Sequence, residues 1–177
     1  MSELLSGYTT KCDTSAGVET WYAFTTKDCS TGLSNVETMT IANGACTALT
    51  LVTGKYAYPF NVEPETSTFN DKGLGESANK SYGREQSATI LFHGNTADMI
   101  TQIETMCTTR TTLIAKCNDG TYELLFATNG AKCNDDRAVG TKYEDMNGTT
   151  LTFSGKEKIK AVKIDSSIVA SLLEPAS

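Results

Sequence analysis

Short runs of β-branched, aromatic and aliphatic residues recur along the chain with polar residues set between them: ETWYAFTT, NVETMTIA, TALTLVTG, YAYPFNV, SATILFH, TTLIAKC, TYELLFA and TTLTFSG. Gly, Asn and Asp separate the runs, proline is scarce and threonine is abundant, which is the pattern of a mainly β domain. A chain of 177 residues fits one domain, residues 1–177, and no internal repeat divides it.

The run TTLIAKCNDGTYELLFA predicts a hairpin closed by a two-residue type I′ turn at Asp119-Gly120. That turn sets Leu113 opposite Phe126, Ala115 opposite Leu124 and Cys117 opposite Tyr122, with Lys116 facing Glu123 on the other side. The later stretch GTKYEDMNGTTLTFSGKEKIKAVKID is less simple. A two-residue turn at Asn147-Gly148 would place Leu151 opposite Glu144 and Phe153 opposite Lys142, a poor register. A three-residue loop, Met146-Asn147-Gly148 with Gly148 left-handed, sets Leu151 against Tyr143 instead. A second loop at Gly155-Lys156-Glu157 sets Phe153 against Ile159. The prediction is a three-strand meander with Leu151 and Phe153 in the core and Thr150, Thr152 and Lys160 facing outward.

Between the hairpins, NTADMITQIETMC carries Met99, Ile100, Ile103, Met106 and Cys107 at helical spacing, with Asn95 or Thr96 as N-cap and Asp98 in the first turn. This predicts one helix covering a sheet face. A short amphipathic piece, Ser167 to Leu173, is too brief to hold helix alone and predicts a docking segment at 166–177. The segment from Glu63 to Glu85 shows neither strand nor helix character. So long an irregular connection predicts either an arm that orders on a neighbouring subunit or a mobile loop.

Charge and composition narrow the function. The net charge is −6 and the pI about 4.8, which excludes the basic footprint of a sequence-reading nucleic-acid binder. No apolar run approaches the roughly 18–20 residues of a membrane span, and the start, MSELLSGYTTKCD, lacks a secretory pattern. The expectation is a soluble protein made in a cytosol with no membrane partner. The six cysteines, Cys12, Cys29, Cys46, Cys107, Cys117 and Cys133, are scattered, and are expected to be reduced thiols acting as small buried apolar groups.

No reactive constellation stands out. His93 is the sole histidine; a triad would pair it with Ser87 or Cys107, yet neither sits in a nucleophile elbow or cysteine-protease signature. Cys107, Cys117 and Cys133 with His93 lack the close spacing of a zinc site. Asp135 and Asp136 in KCNDDRAVG lack the calcium-loop pattern and read as a solvated turn. Gly73 and Gly75 lack the Walker spacing. Paired carboxylates for glycoside hydrolysis are all that chemistry requires, but no signal rises above ordinary surface charge. The expectation is no enzyme: no catalytic residue, no metal ligand and no cofactor.

From Gly83 onward the order of parts is distinctive: the strand REQSATILFHGNT, the helix ADMITQIETM, the hairpin TTLIAKCNDGTYELLF, then EDMNGTTLTFSGKE. This order resembles a family of small structural proteins of tailed phages of gut and environmental Bacteroidetes, including the crAss-like phages, and of prophages in those bacteria. The most specific elements are Asp119-Gly120-Thr121-Tyr122 and Asp145-Met146-Asn147-Gly148 with Leu151, Phe153, Gly155 and Glu157. The order is also similar to the tail-tube fold of phage tails and contractile injection systems. That resemblance implies an antiparallel β-sandwich or barrel (α+β) with one flanking helix, and six subunits joined around a lumen. The 63–85 segment would then contact the adjacent ring. It implies a virion protein, assembled in the cytoplasm of the bacterial host, whose partners are its own copies, other virion proteins, and DNA passing through the lumen without specific binding. A head-to-tail connector or capsid-associated protein is the alternative within that class, and a ligand-binding β-barrel the alternative outside it. The part containing Cys12, Cys29 and Cys46 departs from the resemblance.

Overall fold

Every one of the apolar runs overlaps a strand. In chain order the elements are β1 Val18–Lys27, β2 Val36–Ala42, β3 Ala45–Leu51, β4 Tyr58–Asn61, β5 Ser67–Glu76, β6 Ser81–His93, α1 Ala97–Thr108, β7 Arg110–Cys117, β8 Tyr122–Leu125, β9 Lys132–Val139, β10 Asn147–Glu157, β11 Val162–Ile164 and α2 Ser166–Ser171. This computed structural model describes residues 16–76, 81–94, 96–142, 145 and 147–175. The expectations placed on Cys12, Asn95, Tyr143, Met146, residues 77–80 and the last two residues lie outside that range.

The protein is mainly β, as expected. A seven-stranded sheet runs in the order β2-β3-β11-β8-β7-β1-β4 and a four-stranded sheet in the order β5-β6-β10-β9. Pairing between strands is antiparallel except for β3 with β11.

Alternate residues of the central strands feed two cores, as the two-residue period of a strand requires. Trp21, Ala23, Leu113, Ala115 and Leu125 pack in one cluster with Ala88, Ile90, Leu151, Phe153 and Cys133 of the smaller sheet and with Ile103 and Met106 of α1. Phe24, Ile114 and Leu124 point the other way, to Leu49, Val162 and Ile164 and to Val169 and Leu172 at the C-terminal end. The docking segment therefore docks. Asp165 caps α2 by accepting from Ser167 N, and Leu172 O accepts from Ala57 N at 2.8 Å. Helix α1 is capped by Thr96, whose side chain accepts from Met99 N at 3.2 Å.

The β7–β8 hairpin corrects the expected register by one residue. Leu113 faces Leu125 and Ile114 faces Leu124, because the loop has three residues, 118–120, with Gly120 at φ +80°. Asp119 Oδ1 accepts from Thr121 N at 2.9 Å and from Thr121 Oγ1 at 2.6 Å, drawing Thr121 back so that its carbonyl accepts from Cys117 N. The slip aligns large side chains on both buried faces. It also re-sorts the charges, so that Lys116 pairs with Glu19 at 2.7 Å and Glu123 with Lys163 at 2.5 Å.

The expected meander does not form. Residues 147–157 make one uninterrupted strand that pairs with β6 on one side and β9 on the other. Leu151 lies opposite Ile90 and Asp135, and Phe153 opposite Ala88 and Cys133, in place of Tyr143 and Ile159. Gly148 is there for close approach and not for a turn: a Cβ on it would lie within 2.3 Å of the Phe92 carbonyl oxygen. The inward and outward assignment stands, with Leu151 and Phe153 fully buried and Thr152 and Lys160 exposed. Thr150 is half-buried.

The segment 63–85, expected to be irregular, holds β5 and the start of β6, zipped from Ser67 opposite Ile90 to Glu76 opposite Ser81. KCNDDRAVG, expected to be a solvated turn, is mostly strand β9. Both were hidden because their inward positions are partly polar. Asp71 accepts from Arg84 Nε at 2.7 Å through one oxygen and from Ala161 N at 2.9 Å through the other. Gln86 Oε1 accepts from Phe126 N at 2.7 Å, and the Glu157 carboxylate accepts from Thr128 N at 3.2 Å and Asn129 N at 2.9 Å. These groups fix two of the four crossings of the chain between sheets, those after β8 and after β10, and each satisfies backbone N–H groups that would otherwise be left without a partner.

Candidate functional site

The residues weighed for chemistry are scattered over both sheets. Ser87 and His93 lie on the same strand, six residues apart, which separates them by about 20 Å at the ~3.3 Å rise of a strand. His93 is exposed at the end of β6, opposite Gly148. Cys117 ends β7 in the larger sheet, whereas Cys133 is in β9 of the smaller. The structure does bring Cys107 and Cys133 near one another, with Cys107 Sγ 3.7 Å from Asp135 Oδ1. Burial pushes both thiols above their ordinary range, so neither is a thiolate nucleophile near neutral pH. Among the described residues no group of three or more His, Cys, Asp or Glu is placed to hold a metal ion. Gly73 sits in β5 opposite Arg84, and Gly75 opposite Tyr82, so neither belongs to a phosphate loop. Cys46 and Cys133 are buried, Cys107 and Cys117 half-buried, and Cys29 exposed; all five are free.

One cavity of about 240 Å³ lies between α1, β1 and the approach to β4, lined by Phe24, Tyr56, Tyr58, Phe60, Gln102 and Met106 among others. That is below the ~300–1,000 Å³ of typical small-molecule pockets. A wider cleft of 640 Å³ opens where Lys27, Arg110 and Lys156 meet.

The most extended features are the sheet edges. Each sheet is open, so β2 and β4 terminate the larger one and β5 and β9 the smaller. The outer strands of the smaller sheet are long, ten residues in β5 and eight in β9, and an open edge presents a row of backbone donors and acceptors to another chain. Val139, the last residue of β9, is 64% exposed, and Tyr82, at the start of β6, is 66% exposed. Apart from α1, no helix among the described residues is long enough to cover an edge. Among the described residues no helix is long and apolar enough to cross a membrane. The chain matches no protein-family model, no curated protein and no solved structure.

The edges themselves were not read from the sequence. The signal available was the alternation in STFNDKGLGE, where Phe69, Asp71 and Gly73 share one face; a polar residue and a glycine in the inward positions erased the apolar period.

Proposed function

We propose that this chain is a structural protein of a phage virion, a tail or tail-tube component. Its two sheets act as a β-sandwich with α1 at the flank, and copies join edge to edge into rings, six-fold as the resemblance implies. The observation that carries this reading is the pair of open sheets with long terminal strands in β5 and β9. In a monomer such edges invite uncontrolled pairing; in a closed ring each finds a partner and the liability disappears. The paired strands β5 and β6 replace the expected irregular arm as the element that reaches a neighbour, with Tyr82 exposed at the start of β6. The acidic balance, −6 overall, suits a wall past which DNA slides, since carboxylates repel phosphates. The partners are then copies of the same chain and other virion proteins, the place of assembly is the host cytoplasm, and no catalytic step is assigned. A head-to-tail connector would use the same edges with a different ring geometry.

Negative-stain electron microscopy of the purified protein and of virions tests this. Rings or tubes with the protein in the tail are expected. Isolated monomers at every concentration and salt, with no protein in virions, would overturn it.

A further inference from the structure

In an acidic protein, three cationic side chains line one cleft; one of them, Lys156, lies opposite Glu85 in the β6–β10 ladder. Lys27 at the end of β1, Arg110 at the start of β7 and Lys156 near the end of β10 line the 640 Å³ opening, with Ser34, Thr128 and Asn129. The ion pairs among the described residues are Arg84–Asp71, Lys116–Glu19 and Lys163–Glu123, and none involves these three. The carboxylates next to them in sequence already accept hydrogen bonds, and that of Glu157 sits against two residues of the cleft lining, Thr128 and Asn129. Asp28 accepts from Ser30 N at 2.8 Å and Ser30 Oγ at 2.6 Å, and Glu157 accepts from Thr128 N and Asn129 N.

The backbone supplies a second, independent observation. The β1–β7 register shifts between Thr25 and Lys27, and that irregularity sets Lys27 directly opposite Arg110. Like charges directly opposite across a strand pair destabilise the sheet, and bulges that re-aim a side chain cluster beside functional sites. An unshifted ladder would have placed Thr109 there. The fold thus carries a repulsion that a bound anion would relieve.

We propose that this cleft binds a phosphate group. A phosphate carries up to two charges and several acceptor oxygens, which matches an Arg fork, two Lys and the hydroxyls of Ser34 and Thr128; a lone carboxylate would leave cations unmatched. The volume exceeds that of the phosphate itself, leaving room for the remainder of an ester. The source is a small phosphate ester or the backbone of a nucleic acid, which share this chemistry. The inference is independent of the assembly reading.

Equilibrium dialysis with radiolabelled phosphate at fixed ionic strength applies to the protein in any assembly state. Saturation approaching one phosphate per chain is expected, with affinity reduced about tenfold or more in Arg110→Gln and in Lys27→Gln, a loss typical of one charge-assisted contact. Lys116→Gln, whose partner is Glu19, is expected to bind as the wild type does. Without phosphate, Lys27→Gln is expected to melt higher than the wild type, because the like-charge pair is gone; phosphate should raise the wild-type Tm and not that of Arg110→Gln. Competition by a nucleoside 5′-monophosphate and by a single-stranded oligonucleotide at equal phosphate assigns the source to whichever displaces the label more strongly. Uptake no greater than chloride-exchangeable background, equal affinity in Arg110→Gln, or a Lys27→Gln protein that melts lower than the wild type would each overturn the proposal.

Discussion

The two sheets solve the same problem, burying a face, with different materials. In the seven-stranded sheet the central strand β7 buries every residue from Thr111 to Ala115, and its neighbours send Trp21 and Leu125 to one core and Phe24 and Leu124 to the other. In the four-stranded sheet one face is buried, and that face changes character along its length. At one end Ile90, Leu151, Ala88, Phe153, Phe69 and Cys133 meet in apolar contact; at the other, Arg84, Gln86, Asp71 and Glu157 meet backbone N–H groups and one another. Apolar burial is non-directional and tolerates small shifts, whereas a buried carboxylate or amide must find its partner at hydrogen-bond distance. The polar end therefore fixes where the chain crosses between sheets, and the apolar end supplies most of the stability.

The largest expected effect breaks the apolar end. Phe153 is fully buried, so Phe153→Ala should cost about 3–5 kcal/mol, a large share of the ~5–15 kcal/mol that holds a domain together. Urea unfolding followed by circular dichroism measures the loss. Thr152→Glu, on the exposed face of the same strand, should leave the midpoint within the scatter of surface substitutions. The opposite ranking of these two would mean that the strand presents its other face to the core.

Gln86→Leu tests the polar end. The leucine keeps the volume but orphans the N–H of Phe126, a residue held at φ +57°, and should cost about 1–3 kcal/mol in the same urea experiment. Hydrogen exchange at the 126–130 turn should accelerate more than exchange in β7. A neutral Gln86→Leu would reduce that end of the sheet to ordinary packing.

The smallest effect is expected at α2, where the Asp165 carboxylate accepts from Ser167 N at 2.8 Å and Ser167 Oγ at 2.6 Å. These bonds hold its pKa below the usual carboxylate value. A lowered folded-state pKa gives stability that is present above the unfolded value, about 3.9, and is lost as pH falls through the folded value. Asp165→Ala should therefore melt below the wild type at neutral pH, and the gap should close under acid. A gap independent of pH would show that the carboxylate's charge does not matter to the cap.

The same contrast between sheets explains what the sequence made legible. Runs such as ETWYAFTT and TTLIAKC are dense in apolar residues because they are buried on two faces, so strands β1 and β7 were plain. Strand β5 half-buries a face that carries Asp71 and Gly73, and β9 buries only Cys133, with Asp135 exposed, so their apolar period vanishes. The glycines in β10 misled for a related reason. Gly148 and Gly155 mark places where Phe92 and Phe126 come close, a tertiary need that local turn chemistry cannot distinguish from a loop. Of the candidate site, neither the open edges nor the Lys27, Arg110 and Lys156 cleft was legible, because each depends on pairings between distant segments.

Sedimentation velocity over a wide concentration range, on the wild type beside Val139→Lys, tests edge-to-edge assembly most directly. Val139 stands exposed at the end of β9, where an added charge guards an edge without disturbing the core. The account predicts a ring-sized species that grows with concentration for the wild type, and a monomer of unchanged Tm for the variant. A wild-type protein that sediments as a monomer at every concentration and salt would contradict it.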